Sequence, residues 1–223
     1  MSGGSFLQNS KNTLEKELLV TVSYSKTTGC GNRLDPDREV WKMNVRKAKA
    51  ADIDSIVAIY ERIHDGEEQG LWKIGWVRGV YPSRKTAEDA LARGDLFVMT
   101  EDPTGCVVAA AIINQTEVDV YKNAAWRYDA RPEEIMVLHT LTVDPLLGGK
   151  GYGRAFVAFY EQYAKGNGCT ALRMDTNVIN ARARKLYGAL GYTEVGEVPC
   201  VFNGIPGVKL VCLEKYIGET CAE

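Results

Sequence analysis

Histidine is scarce in this chain. The two present, His64 and His139, lie far apart in sequence, so no single helix or hairpin offers both to one ion, and metal catalysis is not expected. Long apolar runs are missing as well. The longest, Cys106 to Ile113, is well short of the roughly 20 residues that a membrane helix needs and suits a buried strand. There is no excess of one charge: 27 Lys and Arg stand against 29 Asp and Glu, a net −2. Without a basic field, neither nucleic acid nor an anionic membrane is the expected partner, and a small molecule is. Cysteine pairs at metal or redox spacing are absent: Cys30, Cys106, Cys169, Cys200, Cys212 and Cys221 are scattered singly and read as reduced thiols. Met1 to Ser10 lack the cationic start and apolar stretch of a secretory signal, so a cytoplasmic location is expected.

What is present is enough for one substantial core: 223 residues, 45% hydrophobic, make one domain of ordinary size. The turn-rich Leu34-Asp35-Pro36-Asp37 marks a break. The expected division is an N-terminal extension over residues 1–40, partly disordered, a domain over 41–216 and a tail over 217–223. Within the extension, Leu14 to Ser25 read either as a helix running into a short strand or as a loose arm.

A strand is expected over Trp41 to Ala48. Ile53, Ile56, Val57, Tyr60 and Ile63 then recur at helical spacing, and Lys85 to Arg93 read as a second helix. Leu96 to Thr100 and Val107 to Ile113 flank an Asp-Pro-x-Gly turn and predict a hairpin. Strand, helix and strand follow over Met136 to Val143, Gly151 to Lys165 and Thr170 to Asp175, an order that makes a right-handed parallel unit. Ala183, Leu186, Tyr187 and Leu190 mark another helix, ended by Gly191. Tyr192 to Cys200 and Val208 to Tyr216 close the chain as a strand pair. The sum is an α+β domain around a mixed sheet.

Between the strand expected over Met136 to Val143 and the helix after it lies Val143-Asp144-Pro145-Leu146-Leu147-Gly148-Gly149-Lys150-Gly151-Tyr152-Gly153-Arg154. A helix start offers unpaired N–H groups and the positive end of its dipole, and glycines let a bulky anion approach that backbone. This is a phosphate cradle. The dinucleotide fingerprint fails, because its third glycine would fall at Phe156 or Arg154, even though Asp175 lies near the position of its ribose-binding acid. A P-loop fails because Arg154 and Ala155 follow Gly153 where Lys and Ser or Thr are required.

The segment resembles the GCN5-related N-acetyltransferase (GNAT) superfamily, whose signature runs strand, Val-x-Pro, then Arg/Gln-x-x-Gly-x-Gly/Ala and a helix. Leu141-Thr142-Val143-Asp144-Pro145 and Gly148 to Gly153 carry the match, which continues in Asn180 to Tyr187 and Leu190-Gly191-Tyr192 and begins upstream at Val45-Arg46-Lys47-Ala48. One departure stands out: Gly148 occupies the usual Arg/Gln position, and Lys150 and Arg154 are the expected replacement charges. The resemblance implies an α/β/α sandwich, with a mostly antiparallel sheet of about seven strands, a central parallel pair and about four helices. It implies acetyl-CoA as co-substrate, held by Leu141, Thr142, Val143, Gly148, Gly149, Lys150, Gly151, Tyr152, Gly153, Arg154, Asn180 and Tyr187. Dimers are common in that superfamily, which leaves a homodimer open.

The expected reaction is direct attack by an amine on the thioester in a ternary complex. An alkylammonium of pKa about 10.4 leaves roughly one amine in two thousand free at pH 7, so a proton acceptor is needed. Tyr187 matches the family's tyrosine and is the expected acid toward the leaving sulfur; packing in the core is its other reading. His139 is the favoured base, because alternation puts it on one face of its strand with Leu141 and Val143. Some members look similar in using histidine there, and Asp175 is the alternative base. The backbone of Leu141 and Val143 is implied to bind the acetyl carbonyl and pantetheine where the parallel strands splay. The acceptor is expected to be a small-molecule primary amine, met by Asp65, Glu67, Glu68, Trp72, Trp76 and Tyr81 or by Tyr121, Trp126 and Tyr128. A protein N-acetyltransferase and a non-catalytic acetyl-CoA sensor are the rival readings.

Overall fold

The helical stripe that starts at Ile53 and the alternating apolar runs after it fold as their spacing predicts. A computed structural model describes residues 22–24 and 41–218. Among them run β1 (Val22–Tyr24), β2 (Trp41–Lys47), α1 (Ile53–Glu68), α2 (Arg84–Arg93), β3 (Leu96–Glu101), β4 (Cys106–Asn114), β5 (Ile135–Val143), α3 (Tyr152–Gly166), β6 (Ala171–Asn177), α4 (Ala181–Gly188), β7 (Thr193–Phe202) and β8 (Ile205–Tyr216). The strands form one sheet in the order β1-β2-β3-β4-β5-β6-β8-β7. Every neighbouring pair is antiparallel except β5 and β6, the strands joined through α3. The short β1 belongs to the stretch expected to precede the domain, and the rest of that stretch lies outside the described residues.

Period-2 burial divides the sheet's two faces. Phe97, Met99, Ala109, Ala111, Met136 and Leu138 pack with Phe156, Phe159 and Tyr160 of α3 and Tyr187 of α4. Leu96, Val98, Ala110 and Ile112 pack on the other face against Ile53, Ile56 and Tyr60 of α1 and Ala87 and Ala90 of α2. Tyr121, from the β4–β5 connection, covers Ile135, Val137, Ala171 and Cys212. Helices therefore cover both faces, the α/β/α layering that the resemblance implied. Among the described residues no helix is long and apolar enough to cross a membrane.

Two irregularities shape the middle of the sheet. Ala110 pairs with Thr142 but Ile112 pairs with His139, so β5 carries one extra residue. Thr140, at φ 51°, takes up that bulge. The second is where the parallel pairing ends. β5 and β6 are in register from Ile135↔Ala171 to Leu138↔Met174 and no further, while β6 stays paired with β8 through Asn177. Beyond Leu138 the two parallel strands part.

Candidate active site

The parting strands open a cavity of about 840 Å³ that runs from the glycine loop to the connection between α1 and α2. On the β5 side, Asp144 N–H donates to Val108 O at 2.9 Å and Thr142 pairs with Ala110. Because hydrogen-bonding direction alternates along a strand, the peptide groups of Leu141 and Val143 turn toward the opening. Their side chains pack against the α3 core. The Thr142 side chain is buried and donates to Ala110 O at 3.1 Å, so any share it has in the opening is through backbone alone.

At one end of the cavity the glycine loop meets α3. Gly149 and Gly151 both sit at φ 83°, a region that favours glycine, and Gly151 is the N-cap. Gly153 has a different reason: a Cβ there would lie 3.2 Å from Leu186 Cδ2, so its absence lets α3 and α4 approach. Tyr152 was expected to contact the ligand, but its side chain is buried and its hydroxyl donates to Glu101 Oε1 at 2.6 Å. Only its backbone N–H remains for a phosphate. Lys150 also lies near that carboxylate, 3.5 Å away, and Arg154 is exposed at the cavity wall.

A cation not anticipated from sequence completes this end. Arg182, in the first turn of α4, brings Nη2 to 3.6 Å from the point a Gly148 Cβ would occupy. It makes no ion pair among the described residues. The guanidinium lies within van der Waals distance of where a side chain at position 148 would begin. Asn180, two residues earlier, caps α4 by accepting from Ala183 N–H at 3.1 Å through Oδ1. Its amide nitrogen keeps both donors for the cavity that it lines.

At the middle of the opening, α4 presents Tyr187 and β6 presents Asp175. The Tyr187 side chain is buried, and its hydroxyl makes no hydrogen bond among the described residues. Burial first, and the Asp175 charge second, raise its pKa above the ordinary tyrosine value, so it carries its proton at neutral pH. Asp175 Oδ2 accepts from the Tyr121 hydroxyl at 2.8 Å. Burial pushes its pKa up to about 6, against the lowering effect of that hydrogen bond.

The structure corrects the placement of His139. The bulge at Thr140 reverses the alternation, so Met136 and Leu138 before it and Leu141 and Val143 after it face the α3 core. His139 lies on the opposite face from Leu141 and Val143. Its Nε2 sits 3.1 Å from Asn114 Oδ1 and 3.1 Å from Thr116 O. Asn114 Oδ1 also accepts from Thr116 N–H, while its amide donates to Asp95. Both neighbours of Nε2 are thus acceptors, and Nε2 carries the proton. Burial pushes the His139 pKa down to about 4.

The acidic loop residues are also placed differently from the sequence expectation. Asp65 and Glu68, with Glu61, converge on Arg78. Glu67 accepts from Ile74 N–H at 2.5 Å and Gly75 N–H at 2.9 Å. These carboxylates hold the α1–α2 connection in shape. Trp72 donates to Ile63 O at 2.9 Å, Trp126 stacks on Arg173 at 4.3 Å, and Tyr128 stacks on Tyr216 at 5.0 Å. Trp72, Trp76 and Tyr81 line the cavity. Arg62 of α1 grips Asp144 with two hydrogen bonds of 3.0 and 2.8 Å, which ties the glycine loop to the opposite layer.

Residues 58–192 match the family model described as the Acetyltransferase (GNAT) family. The chain belongs to that family. GNAT proteins of known structure share its fold. One from Streptococcus agalactiae 2603 superposes with a TM-score of 0.64 at 23% identity, covering 79% of this chain and 96% of its own. The Salmonella typhimurium protein yncA, solved with its cofactor acetyl-CoA, gives a TM-score of 0.54 at 20% identity, covering 81% and 96%. A curated relative, the aminoglycoside N(6′)-acetyltransferase type 1 of Klebsiella aerogenes, is 38% identical over 58 residues, or 26% of this chain and 38% of that enzyme.

Proposed function

We propose that this protein transfers the acetyl group of acetyl-CoA to a primary amine of a small molecule by direct attack within a ternary complex. The observation that carries this reading is the opening between β5 and β6. A helix N-terminus with three cations lies at one end of it, and an unbonded tyrosine hydroxyl beside a carboxylate of raised pKa lies at its middle. The residues fit the cofactor. Gly149, Gly151 and the start of α3 offer backbone N–H groups to its pyrophosphate, with Lys150, Arg154 and Arg182 as countercharges. Leu141 and Val143 present peptide groups to its pantetheine arm and acetyl carbonyl, and the Asn180 amide adds a donor. Bound acetyl-CoA supplies an activated acyl group on a thiol leaving group.

The protein's own groups handle the protons. Asp175 is the base: at pH 7 it is ionised, its Oδ1 has no hydrogen-bond partner among the described residues, and a pKa of about 6 lies near working pH. His139 is less suited, because a pKa of about 4 makes it a weak acceptor. Tyr187 holds its proton at neutral pH and has no competing partner, so it donates toward the departing sulfur. A small-molecule acceptor is supported by the short match to the aminoglycoside enzyme. Calorimetric titration with acetyl-CoA, with NAD as the control, tests the reading. Binding of acetyl-CoA alone is expected, and no heat with either compound sinks it.

A further inference from the structure

The two ends of the cavity differ in charge. Lys150, Arg154 and Arg182 gather at the glycine loop, and Lys73 lies on the wall formed by the α1–α2 connection. Two carboxylates line the cavity, and Asp144 is held by Arg62. Asp175 is therefore the one lining carboxylate without an ion pair among the described residues. The acidic side chains of the second half of α1 pair with Arg78 or accept from backbone amides of the α1–α2 connection.

Beside Asp175, whose charge is felt at the Tyr81 hydroxyl, stands an aromatic wall. Trp76 and Tyr81 meet edge to face at 5.9 Å, and Tyr81 and Phe202 do so at 5.5 Å. Tyr81 is fixed by a hydrogen bond between its hydroxyl and Thr140 Oγ1, on the bulge of β5. Tyr81 and Phe202 also line an adjoining cavity of about 560 Å³, which gives the wall room on both sides.

We propose that the acceptor is an amine of single positive charge on a flat apolar body, with its nitrogen at Asp175 and its body against Trp76, Tyr81 and Phe202. This rests on the reading of the cavity as an acetyl-CoA site with Asp175 as base. A flat body gains from burying apolar area and from edge-to-face contact. A polycation brings further charges into a cavity that Lys73, Lys150, Arg154 and Arg182 already line, and like charges repel. On charge, the preferred acceptor is thus unlike an aminoglycoside.

The test measures CoA release with 2-phenylethylamine, spermidine and kanamycin, alongside calorimetric acetyl-CoA binding on the same preparation. The expected result is a kcat/KM for 2-phenylethylamine at least about tenfold above either polycation. Phe202→Ala and the bulkier Phe202→Leu, each checked for an unchanged melting temperature, should lower that value while leaving acetyl-CoA affinity alone. Equal or better use of spermidine or kanamycin overturns the proposal. So does failure to acetylate 2-phenylethylamine when acetyl-CoA binds, and in that case the acetyl-CoA reading stands. If acetyl-CoA itself fails to bind, both fall together.

Discussion

At the scale of single residues, the proposed chemistry depends on two hydroxyls and one carboxylate. The Tyr187 hydroxyl has no protein partner to lose, so Tyr187→Phe should fold normally. It should lower kcat about 10²-fold, the lower end of what general acid catalysis supplies, with acetyl-CoA affinity within about twofold. For Asp175 the pH dependence has a definite sign. Below a pKa of about 6 the carboxylate is protonated and accepts nothing, so kcat/KM should fall tenfold per pH unit on the acid side. Tyr121→Phe removes the donor that favours the charged form and should move that limb to higher pH. Tyr81, Tyr187, Cys200 and Cys212 also feel the Asp175 charge and remain in place as the fixed surroundings of that titration. Stability runs the opposite way. A folded-state pKa raised from 3.8 to about 6 favours folding with the proton on, so that contribution is present below pH 3.8 and lost as pH rises through 6. Asp175→Asn should therefore melt higher than the parent at pH 8, by a margin that vanishes below about pH 4.

At the scale of elements, most of this architecture is readable in the chain. The strand–helix–strand order around α3 specified the parallel pair, and Gly148 to Gly153 specified the glycine loop at the start of α3, because glycine spacing and apolar period are local properties. The bulge in β5 was not readable. His139-Thr140-Leu141-Thr142-Val143 alternates like a regular strand, and no Gly or Asn marks the residue held at φ 51°. One extra residue was enough to move His139 to the other face. Arg182 escaped for a different reason: it meets the loop only once α4 packs beside α3 across the small face of Gly153. The acidic residues at the end of α1 suggested a cation site by composition, but composition does not show that Asp65 and Glu68 pair with Arg78 and that Glu67 accepts from backbone amides. The Arg62–Asp144 tie between layers is testable in the same terms. Arg62→Ala leaves a largely buried carboxylate without its main partner and should cost about 1–3 kcal/mol in urea unfolding.

At the scale of the whole molecule, the sheet is incomplete where it opens, and ligand binding should complete it. The peptide groups of Leu141 and Val143 face the gap, while Thr142 and Asp144 are already bonded to β4. Acetyl-CoA lying along β5 should slow hydrogen exchange at the Leu141 and Val143 amides and leave Thr142 and Asp144 nearly unchanged. A ligand that binds only the folded chain adds about 2.7 kcal/mol at 100 times its Kd. In a protein of this size that raises Tm by about 5–10 °C. Arg182→Glu places a negative charge against the pyrophosphate and should shrink the rise by more than half at the same ligand concentration. Because Arg182 is exposed, salt should erode the parental rise more steeply than that of the variant. A melting shift indifferent to both Arg182 and salt would mean that the backbone at the start of α3 holds the phosphates unaided, and that Gly148 needs no replacement charge.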